Sequence, residues 1–176
     1  MKNKGFLFKL LALVSAVASV VFACLLKFNV QISAGGESAK LGNAWSVFGD
    51  AERAEKVELA QLGSIDYDET LRTFAVFLIV VLAIIVILLA VFTIYGKFAS
   101  EPFEACSGTC NILSVVVSLI GVAFLITVLS YIGANTTVVG GLKAGIVVNV
   151  VFLVLQTLFA VLTSVLYIAG AVNTKK

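Results

Sequence analysis

Two cysteines, Cys106 and Cys110, stand four residues apart and are the first candidates for a chemical role. A protein zinc site needs four ligands, most often from Cys and His side chains. The chain has no histidine, and its third cysteine, Cys24, lies at the end of a distant apolar run. One chain therefore does not supply a Cys/His zinc site. The remaining interpretations are a site shared across a dimer, S-acylation near a membrane surface, and plain reduced thiols.

Three acidic residues, Asp66, Asp68 and Glu69, fall within four positions and resemble a calcium loop. The EF-hand pattern is not completed, because Leu71 stands where glycine is needed and Phe77 where a bidentate glutamate is needed. Acidic residues at the beginning of a helix are stabilised by the helix dipole, and Asp66 and Glu69 have the spacing of a capping box. We therefore expect a helix to begin here, with no metal and no cofactor.

The absence of histidine removes the usual general base and the usual catalytic triad. No acidic or basic residue lies in the central part of any long apolar segment, and such buried groups form proton relays and ion pathways. The net charge is +2, and the basic residues do not form the clustered face that binds nucleic acid. The sequence thus predicts neither an enzyme nor a transporter acting alone. It identifies no small-molecule substrate and predicts no nucleic-acid partner.

Neutral polar residues do occur inside the apolar segments. Asn149, Gln156 and Thr163 follow one another at intervals of seven, which places them on one stripe of a helix, and Ser114, Ser118 and Gly121 form a small-residue face on another. These residues could line a hydrated groove or a partner-binding seam. The alternative is packing between helices, because small and neutral polar residues are enriched where membrane helices meet.

The composition places these residues in a membrane. Of the 176 residues, 61% are hydrophobic and 12% charged, whereas soluble domains have about 45–50% and about 25%. Four apolar segments are long enough to cross a bilayer, which takes about 20 residues of helix. The predicted fold is an all-α membrane protein, a single four-helix transmembrane domain over residues 1–176 with spans at about 6–26, 74–95, 112–134 and 144–172. We expect the first span to be uncleaved, although Ala16-Val17-Ala18 also fits a signal-peptide site.

The polar segment over residues 33–72 predicts a small α/β module between the first and second spans. Residues 27–32 and 44–48 have strand patterns, and Asp50 is placed to cap a helix over residues 51–62. Candidate interaction residues are Trp45, Val47 and Phe48, because aromatic residues are enriched at binding hot spots. The alternative is that they form the core of the module itself.

The basic residues predict the orientation of the chain. Four spans put both termini on one side, together with Lys97, and cytoplasmic loops carry an excess of Lys and Arg. We therefore expect a multi-pass protein of the plasma membrane, with cytoplasmic N- and C-termini and an extracytoplasmic module.

This layout resembles the claudin group of tetraspan proteins in topology. Trp45 in the first loop and Arg72 at the foot of the second span add to the likeness, while Asn43-Ala44-Trp45-Ser46 replaces the G-L-W signature of that group and the loop has no cysteine. The resemblance implies internal termini, a large first outer loop with strands and a short helix, and a small second outer loop.

Two functions from different classes remain. The first is a non-enzymatic tetraspan that acts as an assembly, scaffold or accessory subunit through its outer loop and helix faces, as a homo-oligomer or in a larger membrane complex. The second is a pore or transporter component in which the stripe of Asn149 and Gln156 faces water. Membrane lipids are partners in either case.

Overall fold

The computed structural model describes residues 2–34, 37–46, 56–59, 63–66, 69–98, 104–134, 136–139 and 142–174. Within this part of the chain, four helices are long and apolar enough to cross a membrane. Their bounds are α1 Lys2–Cys24, α2 Glu69–Phe98, α3 Glu104–Ala134 and α4 Val150–Thr174. The predicted four-helix bundle of a multi-pass membrane protein is therefore confirmed.

The second and third helices are longer than the apolar spans predicted from the sequence. Helix α2 continues through Gly96 to Phe98 and α3 begins at Glu104, whereas the predicted spans end at about residue 95 and begin at about residue 112. An apolar window detects only the part of a helix that contacts lipid, whereas the hydrogen-bonded backbone continues beyond it. Cys106 and Cys110 consequently lie four residues apart near the beginning of α3 rather than in a loop.

The four helices form a closed ring, because each packs against its neighbours in sequence and α1 also packs extensively against α4. A β-carbon added at Gly170 of α4 would lie 2.9 Å from the carbonyl oxygen of Gly5, which places the end of α4 beside the start of α1. At the opposite end, the rings of Phe28 and Tyr131 meet edge to face with centroids 5.4 Å apart. We call these the terminal end and the sheet end. The terminal end also holds the end of α2 and the start of α3.

The described residues of the connections at the sheet end form six strands. They are β1 Lys27–Ala34, β2 Glu37–Ser46, β3 Lys56–Leu59, β4 Gly63–Asp66, β5 Thr136–Val139 and β6 Leu142–Val148. Four of them form one antiparallel sheet in the order β2-β1-β6-β5, while β3 and β4 form a separate hairpin. The strand predicted over residues 27–32 is confirmed. The second strand begins at Glu37 rather than Ala44 and pairs with β1, and residues 47 and 48 lie outside the described residues.

The β3–β4 hairpin replaces part of the helix predicted over residues 51–62. Residues 56–59 are a strand that pairs with residues 63–66, so the helix prediction was wrong there. The physical reason is the alternation of Lys56-Val57-Glu58-Leu59, whose period of two fits a strand better than a helix turn. Asp50, the predicted helix cap, lies outside the described residues, as does the segment that separates Asp66 from α2.

The predicted beginning of the fourth span was also wrong. Residues 144–148 belong to β6, and α4 begins at Val150. The apolar run Gly145-Ile146-Val147-Val148 fits a buried strand as well as a helix, because periodicity alone does not separate the two in short runs. Strand β1 decides the outcome by pairing with β6 over seven residues, from Phe28 opposite Val148 to Ala34 opposite Leu142.

The sheet is anchored to the bundle by one continuous apolar core. Phe28 and Ile146, from the paired strands β1 and β6, are buried together with Leu78 of α2, Tyr131 of α3 and Leu153 of α4. Two residues, Leu25 and Leu26, separate α1 from β1, and one residue, Asn149, separates β6 from α4. The central pair of strands therefore continues the pairing of α1 with α4 beyond the membrane-spanning segments.

Candidate functional site

Among the described residues, Gln156 is the largest polar side chain other than tyrosine that is completely buried inside the bundle. Its Nε2 donates to Ser19 Oγ of α1 at 3.4 Å, a long and weak hydrogen bond, and its Oε1 accepts from Thr157 Oγ1 at 3.1 Å. A β-carbon at Gly121 of α3 would lie 3.4 Å from the same Nε2. Gln156 thus lies where α1, α3 and α4 meet, in contact with protein atoms.

The other predicted polar residues of the bundle also bond internally. Thr163 is fully buried and donates to the carbonyl oxygen of Phe159 at 2.8 Å, one turn earlier in α4. Ser114 of α3 is fully buried and donates to the carbonyl oxygen of Asn111 at 2.8 Å. Such bonds to the preceding turn satisfy a hydroxyl without a partner from another helix.

Ser118 is the predicted residue that connects two helices. Its Oγ donates to the carbonyl oxygen of Ala160 in α4 at 2.8 Å. One turn further along α3, a β-carbon at Gly121 would collide with the β-carbon of Ala160. The small-residue face predicted on α3 is therefore the contact surface with α4, where the two backbones approach closely.

Asn149 does not belong to the stripe predicted with Gln156 and Thr163. It is exposed and precedes α4, where its Oδ1 accepts from the backbone N–H of Val151 at 3.1 Å. This is the position and the bond of an N-cap. The spacing of seven predicts a shared face only where the helix continues, and here the chain before Val150 is extended. The contacts of these three residues favour helix packing and capping over a hydrated groove.

The sequence did not single out the pairing of Thr93 with Tyr167. These buried hydroxyls of α2 and α4 lie 2.7 Å apart, and Thr93 Oγ1 also donates to the carbonyl oxygen of Leu89 at 2.7 Å. The Nζ of Lys9 lies 5.6 Å from the centroid of the Tyr167 ring. The available signal was the position of Lys9, the one charged residue within the first span.

Cys110 is buried beside Ala12, Leu89 and Tyr167, so its thiol packs in the bundle and is not presented to an acylating enzyme. Among the described residues, no group of three or more His, Cys, Asp or Glu side chains could hold a metal ion. The calcium-loop interpretation of Asp66, Asp68 and Glu69 is not tested by this observation, because Asp68 lies outside the described residues. Asp66 is the last residue of β4.

The sheet has two unlike faces. Phe28 of β1 is buried against the bundle, whereas its neighbour Lys27 is exposed, and Asn29, Gln31 and Ser33 alternate with the apolar positions of the strand. Lys143 of β6 pairs with Ser33 and is exposed as well. One face therefore joins the apolar core, and the other carries polar and basic groups beside the exposed Val138, which pairs with Lys143.

The predicted interaction residues are only partly within the described chain. Trp45 is in β2, where its backbone pairs with that of Phe28 in β1. Its role as an anchor stays a prediction. Val47 and Phe48 lie outside the described residues.

The chain matches no protein-family model, no curated protein and no solved structure. The four spans fit a tetraspan topology, and the likeness to the claudin group remains one of topology alone.

Proposed function

We propose that this chain is a non-enzymatic membrane tetraspan that acts as an assembly or accessory subunit, with the polar face of its sheet as the contact surface. The observation that carries the proposal is the sheet itself, which draws strands from both connections at the sheet end and is fixed to the bundle by Phe28 and Ile146. A fixed sheet presents its side chains in one arrangement, which lowers the entropic cost of binding a partner.

The chemistry of the contact surface indicates an acidic partner. Lys27 and Lys143 are exposed on this face of the sheet. Strands β1, β5 and β6 contain no acidic residue. Complementary charges favour encounter and exclude partners of the wrong sign more than they add affinity. The acidic residues between Asp50 and Glu69 make a second copy of this chain one such partner.

The bundle supports a role in assembly rather than conduction. Gln156, Ser118 and Thr163, three of the polar residues within it, have hydrogen-bond partners in the same chain, whereas the buried Oδ1 of Asn111 has none. Their side chains therefore stabilise one arrangement of helices. This leaves the sheet and the lipid-facing helix surfaces as the parts that other proteins contact.

The distribution of charge supports an orientation across the plasma membrane in which the terminal end faces the cytoplasm. By sequence, the segments at the terminal end carry six basic residues, Lys2, Lys4, Lys9, Lys97, Lys175 and Lys176, against Glu101 and Glu104. Lys and Arg near the ends of spans favour the cytoplasmic side. The sheet is then extracytoplasmic.

The proposal is tested by reversing the charge of the sheet surface. The double variant Lys27→Glu/Lys143→Glu and the control Lys2→Glu/Lys97→Glu, with the same charge change at the terminal end, are extracted gently from their own membrane and compared by native electrophoresis. We expect the amount of high-mass complex to fall at least about threefold in the sheet variant and to stay unchanged in the control. A complex unaffected by the sheet variant, or a wild-type chain recovered only as monomer, would contradict the proposal.

A further inference from the structure

Lys9 is a charged residue inside a membrane span whose side chain is held at a fixed place. It lies four residues into the candidate span Gly5–Cys24, which corresponds to a depth of about 6 Å at about 1.5 Å per residue. This is near the boundary between headgroups and acyl chains, where a lysine keeps its stem in apolar surroundings and its ammonium group near the interface.

The seam between α1 and α4 fixes the position of the Lys9 side chain. A β-carbon at Gly170 would lie 2.9 Å from the carbonyl oxygen of Gly5 and 3.1 Å from Lys9 Cγ, so the helices are in close contact here. The ammonium group is 5.6 Å from the centroid of the Tyr167 ring, and the Tyr167 hydroxyl lies 2.7 Å from Thr93 Oγ1. The half-buried Lys9 therefore lies against a ring that two helices hold in place.

The spans offer Lys9 no opposite charge. None of the four candidate spans, Gly5–Cys24, Thr70–Gly96, Gly108–Ala134 and Val150–Asn173, contains an aspartate or a glutamate. A cation that is partly removed from water needs a counter-charge, and the faces of aromatic rings supply only part of it. At this depth the groups outside the protein that carry negative charge are lipid phosphates.

The surroundings of the seam add positive charge. In the sequence, Lys2 precedes Lys9 by seven residues, and Lys175 and Lys176 directly follow α4. Clusters of lysines next to a membrane-spanning helix attract anionic lipids.

We propose that the seam between α1 and α4 at Lys9 binds the phosphate of an anionic phospholipid, with the Lys9 ammonium group as its central contact. The glycine at position 170 lets the two helices approach, and the Tyr167 ring keeps the ammonium group at the seam. This site is separate from the sheet surface and does not depend on the function proposed for it.

The proposal is tested by native mass spectrometry of the full chain in detergent, titrated with dioleoyl phosphatidylglycerol or dioleoyl phosphatidylcholine. We expect the wild-type chain to bind phosphatidylglycerol at least about fivefold more tightly than phosphatidylcholine. Lys9→Gln should reduce this preference to less than about twofold and Lys9→Arg should keep it. The control Lys27→Gln removes an exposed lysine at the sheet end and should leave it unchanged. Equal binding of the two lipids by the wild type, or a full preference in Lys9→Gln, would overturn the proposal.

Two further measurements keep the test decisive. A phosphatidylglycerol with a photoreactive headgroup should crosslink the wild-type chain within residues 2–9 or 166–174, which needs no variant that could misfold. Crosslinks confined to other segments would contradict the site. Inorganic phosphate at equal concentration should not displace the lipid, and full displacement would show that a free anion, and not a lipid, occupies the site.

Discussion

At the scale of single residues, the close contact of α3 with α4 depends on the absence of a side chain at Gly121. Small residues in membrane helices allow backbones to approach, and the gain is in van der Waals contact rather than in a hydrophobic effect. Ala160 lies directly opposite, and Ser118 bonds to its carbonyl oxygen one turn away. A single methyl group at position 121 should therefore separate the two helices.

We predict that Gly121→Ala destabilises the bundle by about 1–3 kcal/mol, as is typical when an extra group is forced into a packed interface. Removal of the opposing methyl group in Gly121→Ala/Ala160→Gly should restore part of this loss. The measurement is unfolding of the purified protein by SDS in mixed micelles. Gly133→Ala is the matched control, since a β-carbon there meets nothing within 4 Å. Equal effects of the substitutions at positions 121 and 133 would contradict the packing argument.

At the buried Gln156, two effects contribute to stability: its hydrogen bonds and the volume that its side chain fills. A hydrogen bond between membrane helices contributes about 0.6 kcal/mol on average, and the Gln156–Ser19 bond is long at 3.4 Å. Filling the junction of three helices, by contrast, involves an entire buried side chain. The volume of Gln156 is thus the larger contribution to stability, and its hydrogen bond to Ser19 chiefly fixes the register of α4 against α1.

At the scale of elements, β6 determines how the two connections at the sheet end are joined. It pairs with β1 on one side and β5 on the other, and it passes into α4 after one residue. The Oγ of Ser33 also donates to the carbonyl oxygen of Lys143 at 3.4 Å, although the two residues are 110 positions apart in the chain. The sheet and the paired helices α1 and α4 are therefore packed and bonded together as one unit.

We predict that cysteines at Asn29 and Val147, which are directly opposite in β1 and β6, form a disulfide in a variant that has no other cysteine. Directly paired residues have β-carbons about 4.5–5.5 Å apart, close to the range that a disulfide requires. The control pair Gln31→Cys/Val147→Cys lies on the diagonal, about 7–8 Å apart, and should oxidise far more slowly. Peptide mass spectrometry after mild oxidation measures both. Similar rates for the two pairs would mean that the register is wrong.

At the scale of the whole molecule, the ends of the bundle differ in charge. The six basic and two acidic side chains at the terminal end leave a net charge of +4, whereas the chain as a whole carries only +2. The remainder, including the sheet end, is therefore net acidic even though the polar sheet face is basic. Such an asymmetry orients a membrane protein during insertion.

We predict that a cysteine at position 143 reacts with a membrane-impermeant maleimide in intact cells and that a cysteine at position 4 does not. Lys143 is exposed in β6 at the sheet end, whereas Lys4 lies at the start of α1 at the terminal end. Both substitutions are made in a chain that has no other cysteine, and permeabilised cells provide the positive control for position 4. Labelling of position 4 but not of position 143 in intact cells would show that the orientation is the opposite one.

The sequence by itself determined the four spans, because the requirement for an apolar helix in hydrocarbon acts on each segment separately. It likewise predicted the strand after α1 and the small-residue face of α3, which depend on residues close together in the chain. The same reasoning was misled at residues 56–59, where the capping position of Asp50 favoured a helix over the alternation of Lys56-Val57-Glu58-Leu59.

Only the tertiary structure decided what residues 144–149 do. Gly145-Ile146-Val147-Val148 is compatible with a membrane helix or with a strand, and the choice depends on β1, more than a hundred residues earlier in the chain. That choice moves the start of α4 to Val150 and turns Asn149 from a member of a polar stripe into an exposed cap. The alternating pattern of β1 predicts a strand but not its partner, so the structure was needed to find the sheet that we propose as the contact surface.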